Sequence, residues 1–311
     1  MQKIISFSLL FLFAIISVSQ TAADYYKQGG AKMKEKKYAD AVKLYSKAID
    51  KCKDSSSYFV ARGYAYFLLD KYQQSLDDYG TAIYLKSNNW KAYYCRSIAL
   101  QRVGMFEEAI KDNNMAIMLT SNDTIKKECY LDNGTNRSFM RDFEGAYNDY
   151  MKALSYDSLD PNVYNNLATV MDDLGKPEKT LEYCLKAYSL DSSQIGPLVN
   201  IGFLYTKQEK YKEAIYYFDW ALKKKPDEAL AYSNRSYAKL KLGDLDGALE
   251  DINKSLKLYP SNSYAYRNRA LVYIEMKKNN KACDDLEKAK ELGFTKMYGN
   301  EVVTLIALNC K

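Results

Sequence analysis

The side chains able to do chemistry here are six cysteines, adjacent acidic pairs, three of them Asp-Asp, and 30 tyrosines, with no histidine among them. Without histidine there is no Ser-His or Cys-His nucleophile pair and no imidazole ligand for zinc, iron or copper. Carboxylate chemistry stays open, alone or through bound Mg²⁺ or Ca²⁺. Its candidates are acidic pairs such as Asp77-Asp78, Asp172-Asp173 and Asp284-Asp285. Adjacent residues on a helix point about 100° apart, so these pairs do not converge on one substrate and read as solvated charge. The cysteines lack C-x2-C spacing, so no zinc site is expected. No catalytic residue, cofactor or metal ligand is assigned.

What positions these side chains is a repeat. The segment KYADAVKLYSKAI at 37–49 returns as KYQQSLDDYGTAI at 71–83, MFEEAIKDNNMAI at 105–117 and DFEGAYNDYMKAL at 142–154. It continues as KPEKTLEYCLKAY at 176–188, KYKEAIYYFDWAL at 210–222, DLDGALEDINKSL at 244–256 and KNNKACDDLEKAK at 278–290. The central small residues Ala41, Ser75, Ala109, Ala146, Thr180, Ala214, Ala248 and Ala282 recur every 34 residues, apart from one step of 37. Twelve residues before each stands Gly29, Gly63, Ser97, Gly134, Ala168, Gly202, Ser236 or Ala270. Seven after each comes Ala48, Ala82, Ala116, Ala153, Ala187, Ala221, Ser255 or Ala289.

This pattern predicts two amphipathic helices per unit, with small residues where the backbones approach. A bulky residue there would overpack, at roughly 1–3 kcal/mol. A large apolar knob lies between the small places of the second helix: Tyr45, Tyr79, Tyr150, Phe218, Ile252 and Leu286. Asn113 and Cys184 depart from that rule, which marks the third and fifth units as the softest. Gly104, Gly175 and Gly243 fall at the turn inside a unit, and Pro226 and Pro260 fall between units. Period-2 alternation is nowhere sustained, so the expected class is all-α.

With these residues laid out, the sequence resembles the tetratricopeptide repeat (TPR) family. The first-helix pattern shows in YYKQGGAKM, YNNLATVMDDLG and VNIGFLYTKQ, the second-helix pattern in YKEAIYYFDWALKKKP. The resemblance spans about 22–292, with units near 22–55, 56–89, 90–126, 127–160, 161–194, 195–228, 229–262 and 263–292. It implies a right-handed α-solenoid of about eight helix-turn-helix units with a concave inner face. The 37-residue step is expected to put three extra residues into the connection around Ser121 to Lys126. After the last unit, Val302, Leu305 and Ile306 form an apolar stripe, which reads as a C-terminal capping helix within 293–311.

The resemblance also implies where a partner sits, on a stripe along the concave side of the first helices. Carried over residue by residue, it comprises Tyr26, Tyr64, Phe67, Tyr94, Gln101, Arg102, Glu128, Thr135, Phe139, Asn162, Asn165, Asp172, Asp173, Phe203, Lys207, Tyr237, Tyr264 and Arg267. Aromatics among amides and mixed charges suit an extended peptide or a protein loop, although such rings can also simply cover their neighbours. Chaperone-docking members of the family carry a two-carboxylate clamp of Lys, Asn, Asn, Lys and Arg. Here Tyr26, Gly30, Ala61, Lys91 and Cys95 take those places, so only Lys91 matches.

Residues 1–19 have the form of a secretory signal peptide: Met1-Gln2-Lys3, then an apolar run from Ile4 to Val18 broken only by serines. The run of 15 residues is shorter than the roughly 20 a span needs. Cleavage is expected after Ser19, with Ala23 as the other option and an uncleaved anchor as the rival reading. The leader and cysteine usage resemble exported bacterial TPR proteins, so a periplasmic or secreted protein without stable membrane insertion is expected. In that setting Cys283 and Cys310 are a disulfide candidate, because two antiparallel helices would bring them together; two free thiols are the alternative. Cys95 and Cys129, on neighbouring first helices, are a second candidate pair, while Cys184 reads as a small core residue.

Net charge is +6 and scattered, which does not suit nucleic-acid binding. The leading expectation is a non-enzymatic interaction scaffold with a protein or peptide partner. The others are a structural subunit of an envelope or secretion assembly, using its convex face or ends, and an enzyme with carboxylate or Mg²⁺ chemistry.

Overall fold

The computed structural model describes residues 20–310; the leader expected at 1–19 lies outside them. Every regular element among the described residues is helical. The protein divides into two compact units, at Ser121/Asn122. The first contains α1 (Ala22–Lys34), α2 (Tyr38–Lys51), α3 (Ser56–Phe67), α4 (Tyr72–Leu85), α5 (Trp90–Arg102) and α6 (Phe106–Leu119). The second begins with α7 (Asp123–Phe139), α8 (Phe143–Tyr156), α9 (Pro161–Asp173), α10 (Pro177–Leu190), α11 (Gly196–Lys207) and α12 (Tyr211–Lys224). It continues with α13 (Ala229–Lys241), α14 (Leu245–Leu258), α15 (Ser263–Glu275), α16 (Asn279–Glu291), α17 (Phe294–Tyr298) and α18 (Glu301–Asn309). In each unit, odd helices up to α15 pack on the even helix that follows, and each pair packs on the next.

A knob-and-hole pairing sixteen residues apart holds each pair together. A Cβ on Gly29, Gly134 or Gly202 would stand 2.5 Å from the ring of Tyr45, Tyr150 or Phe218. Where the knob is smaller, the hole is smaller too. Ala168 faces Cys184 in one core, and Ser97 donates to Asn113 Oδ1 at 2.5 Å. The third and fifth pairs therefore match volume and hydrogen bonding in their own way, with Asn113 and Cys184 fully buried.

All eight turns inside a pair need one residue in the left-handed region. Gly104, Gly175 and Gly243 supply it at φ 67–82°, and Lys36, Asp70, Arg141, Glu209 and Lys277 adopt it at 56–62°. Pro161 and Pro177 open α9 and α10, where a missing N–H costs nothing.

Buried forks tie four pairs together. Arg62, Arg96, Arg235 and Arg269 each bind the carboxylate sixteen residues later, Asp78, Asp112, Asp251 and Asp285, through Nε and Nη2 at 2.6–2.8 Å. The third nitrogen reaches back one helix: Arg62 to Ser46, Arg235 to Asp219, Arg269 to Asn253. At α9–α10 and α11–α12 the same two places hold Leu167 with Tyr183 and Ile201 with Tyr217, so packing replaces the ion pair.

Two expectations need correction. The extra residues of the 37-residue step lie inside α7, which runs 17 residues against 12 or 13 for the other first helices. Three residues make nearly one helical turn, so lengthening the helix keeps the packing face in register where a loop would not. Asn122 caps the added turn, its side-chain oxygen accepting from Thr124 N and Ile125 N. The C-terminal cap is two helices rather than one, because Gly299 at φ 87° breaks the segment between Tyr298 and Glu301. Phe294 and Val302 insert against Ala270, Ala282, Leu286 and Ala289, and cover the apolar end of the last pair. Cys283 and Cys310 are joined by a disulfide, with Cα atoms 5.7 Å apart. The other four cysteines are free thiols. Cys95 and Cys129 do not pair: Cys95 packs into the α3–α5 core of the first unit, and Cys129, in the second, has no exposed surface.

Candidate functional site

In the first unit, α1, α2, α3 and α5 surround a cavity of about 500 Å³. Tyr26, Met33, Tyr45, Val60, Ala61 and Tyr64 make its apolar wall, with Ser57, Asn89, Lys91 and Cys95 completing the lining. Two of the lining residues, Ala61 and Cys95, are small and leave that space open. Tyr45 is nearly buried, and burial, with Tyr26 beside it, pushes its hydroxyl up to about 12. Burial likewise pushes the Cys95 thiol up to about 11 against the pull of Lys91, so it is a neutral wall at pH 7 rather than a nucleophile. Lys91 is exposed and makes no ion pair among the described residues.

The sequence-derived stripe splits into groups with different fates. Tyr26 and Tyr64 line the cavity and stay partly exposed, at 37% and 47%. Phe67 stacks on Tyr64, meets Tyr72 edge-on and packs on the α3–α5 core. On α5, Tyr94 and Gln101 are half-buried and Arg102 is exposed; none of the three lines the cavity. On α7, Phe139 is 64% exposed, Glu128 pairs with Lys127 at 3.2 Å, and Thr135 is taken up by Leu131 O and the Tyr150 hydroxyl.

The α9 and α11 residues meet each other. Asn165 Oδ1 accepts from Asn200 Nδ2 at 3.0 Å, and Asn162 Oδ1 accepts from Gln194 at 3.2 Å. Lys207 binds Asp172 at 3.1 Å and lies over the Phe203 ring. Asp173 beside it has its carboxyl raised, first by burial and then by Asp172. The last group is not available as the sequence implied. Arg267 is buried and forks onto Glu301 of α18, and its guanidinium stacks on Tyr237. Tyr264 packs against Phe294 and Tyr298. The cap thus occupies the place a partner would take on α15.

Three features escape the sequence pattern. Periodicity makes Tyr45 a packing knob and says nothing of Val60, yet both wall the cavity. The available signal is the small residue at Ala61. Asp132, between Glu128 and Asn136 on α7, has its carboxyl pushed up to about 7 by burial and then by Glu128. On α12, Tyr216 is 61% exposed, beside Trp220, which meets Tyr188, with Lys223 and Lys224 flanking. Among the described residues, no group of three His, Cys, Asp or Glu could hold a metal ion. None of their helices is long and apolar enough to cross a membrane.

Residues 202–263 match a tetratricopeptide repeat family, and 263–292 match a second family of the same description. The stretch 202–292 thus carries tetratricopeptide repeats. Two curated plant proteins are similar to part of the chain. Hsp70-Hsp90 organizing protein 3 of Arabidopsis thaliana is 32% identical over 119 residues, covering 37% of this chain and 19% of that protein. Hsp70-Hsp90 organizing protein 1 of Glycine max is 31% identical over 116 residues, with the same coverage. The match thus spans less than a fifth of either relative.

Among solved structures, the APC/C hetero-tetramer Cut9-Hcn1 aligns over 79% of this chain and 47% of its own length, at TM-score 0.61 and 16% identity. A tetratricopeptide repeat protein of Parabacteroides merdae aligns over 93% of this chain and all of its own, at TM-score 0.53 and 14% identity. Pseudomonas aeruginosa pilF aligns over 69% and 96%, at TM-score 0.55 and 20% identity. At these identities the shared property is the fold, an all-α TPR solenoid.

Proposed function

We propose that this protein is an exported, non-enzymatic scaffold that binds a peptide or protein partner along the face of its first helices. The observation that carries the reading is the cavity bounded by Tyr26, Tyr45, Val60 and Tyr64. It is an apolar recess on the first-helix side, within the roughly 300–1,000 Å³ range of ligand sites. The similarity to Hsp70-Hsp90 organizing proteins supports a role in protein interaction. A partner held by a two-carboxylate clamp is not expected here, since Lys91 alone of the five clamp places carries the matching residue.

Export rests on the form of residues 1–19 and on the Cys283–Cys310 disulfide, which persists in oxidising compartments. Cleavage after Ser19 is favoured over Ala23 because Thr21 forms a reciprocal capping box with Asp24 at the start of α1. A second reading, a structural subunit that uses its outer side, is favoured by one feature, the exposed Tyr216 and Trp220.

Site-specific photo-crosslinkers at Tyr64, Tyr94, Phe203 and Tyr216, in the protein's own cells, separate the two. The scaffold reading expects partner adducts at the first three positions. Adducts at Tyr216 alone would replace it with the second reading. Retention of the leader, read by N-terminal sequencing of the mature protein, would refute export by this route.

A further inference from the structure

We propose that the Cys283–Cys310 disulfide latches an autoinhibitory contact. While the bond is closed, α18 covers and neutralises Arg267; once a dithiol reduces it, α18 lifts and frees that cation at the end of the first-helix face. Arg267 stands on α15 at a stripe place but is only 8% exposed. Its guanidinium lies over the rings of Tyr237 and Tyr264, 5.3 and 5.5 Å from their centroids. Its charge is met by Glu301, the first residue of α18, with Nε donating to Oε2 at 3.0 Å. With Glu301 withdrawn, the fork keeps Asn268 Oδ1 as a polar partner, which carries no charge.

α18 depends on the bond to stay in place. Its nine residues are fewer than the roughly 12–15 at which an isolated helix becomes even marginal in water. Asn300 gives it no side-chain cap. Val302 is buried, but Val303 and Leu308 are 43% and 71% exposed. Gly299, at φ 87°, breaks the helix from α17 and supplies a hinge. Glu301 and Val302 hold the hinge end, Leu305 and Ile306 are half-buried in the middle, and Cys310 ties down the far end. Opening the bond turns this sparsely buried helix into a free chain end. The entropy of ordering it then outweighs the burial of Val302 and its half-buried neighbours.

The bond is also within reach of a reductant. Cys283 and Cys310 are both half-buried, and a surface cavity of about 620 Å³, lined in part by Asn279, Asn280, Asp284 and Leu308, opens beside them. One thiolate of the dithiol bonds to one sulfur of the pair, and the other sulfur leaves as a thiolate that takes up a proton. The dithiol's second thiol, once deprotonated, attacks the mixed disulfide, releases the second cysteine and closes the reductant's own disulfide. Two electrons pass to the protein, which ends with two thiols. In the scaffold reading, on which this consequence rests, the α13–α15 end of the face is closed to partners until that exchange.

Arginine labelling of the full-length protein with phenylglyoxal, read residue by residue by mass spectrometry, tests the latch. The reduced sample is treated with dithiothreitol and desalted without air. Arg267 should label about tenfold faster in it than in the disulfide form, because labelling follows local opening. Arg269, forked to Asp285 on the same helix, should label equally in both. Cys310→Ser should reproduce the fast rate without reductant and still melt cooperatively. Glu301→Gln with the bond intact should stay slow, because α18 still lies over the guanidinium. Equal Arg267 rates in the two redox forms overturn the proposal and leave the bond a structural staple. A rate in oxidised Glu301→Gln as fast as in the reduced wild type also overturns it, since the ion pair alone would then be the shield. Neither failure touches the scaffold reading, which the crosslinks at Tyr64, Tyr94 and Phe203 decide.

Discussion

Gly202 tests the knob-and-hole account of the repeat most directly. Replacing a helix-interior glycine with alanine ordinarily gains about 0.8–1 kcal/mol from backbone entropy. Gly80, inside α4, has open space within 4 Å of where an alanine methyl would stand, so Gly80→Ala should show that gain in full. At Gly202 a Cβ would meet Phe218 Cε1 at 2.5 Å, and Cδ1 and Cζ at 2.8 Å. Carbon atoms prefer about 3.5–4.0 Å, so the ring must retreat by about 1 Å. Phe218 has no exposed surface and is enclosed by Ala214, Ala238 and Val199, so it cannot retreat freely.

Overpacking of this kind costs about 1–3 kcal/mol, which outweighs the entropic gain and leaves Gly202→Ala destabilised by about 1 kcal/mol. Phe218→Leu withdraws the ring edge; in that background Gly202→Ala should become stabilising by about 0.5–1 kcal/mol. Urea denaturation followed by helical circular dichroism reads all four variants as midpoint shifts. If Gly202→Ala stabilises as much as Gly80→Ala, or if its sign stays the same in the Phe218→Leu background, the account is wrong.

Three further outcomes are expected. Asp132 has its folded pKa raised to about 7 from an ordinary value near 3.8, so its ionisation works against the fold as pH rises from about 4 to 7. By linkage the loss is on the order of 2–4 kcal/mol across that window; Asp132→Asn should flatten the pH dependence and be the more stable protein at pH 8. An amide fits there, since Asn166, Asn200, Asn234 and Asn268 hold the same repeat place; a steeper slope in the variant would reject the assignment. Reducing the Cys283–Cys310 bond, whose sequence separation is 27, should cost about 3–4 kcal/mol in the loop-entropy picture. Faster hydrogen exchange in α17 and α18 should accompany it, and exchange unchanged by reductant would show that the cap holds without the bond. Arg269→Leu strands the buried Asp285 and should cost about 3 kcal/mol or more. Adding Asp285→Tyr recreates the Leu167–Tyr183 solution and should recover most of it; thermal melts showing no recovery would mean the two solutions are not interchangeable.

The fold was legible because its information is local. Small residues at a 34-residue spacing dictate where two helices can touch, and that spacing survives in Ala41 through Ala282 whatever the neighbours do. Even the compensation between Gly202 and Phe218, or Ala168 and Cys184, is written as a pair sixteen residues apart. Tertiary structure decided the rest, because it concerns space left over and surfaces covered. No single residue encodes the cavity: it appears where Ala61 and Cys95 fail to fill what Tyr45 and Tyr64 enclose. Tyr264 and Arg267 carry the sequence signature of a binding stripe, yet Phe294, Tyr298 and Glu301 from the cap lie on them. A residue's position in a repeat follows from periodicity, but whether solvent reaches it depends on which distant segment packs there.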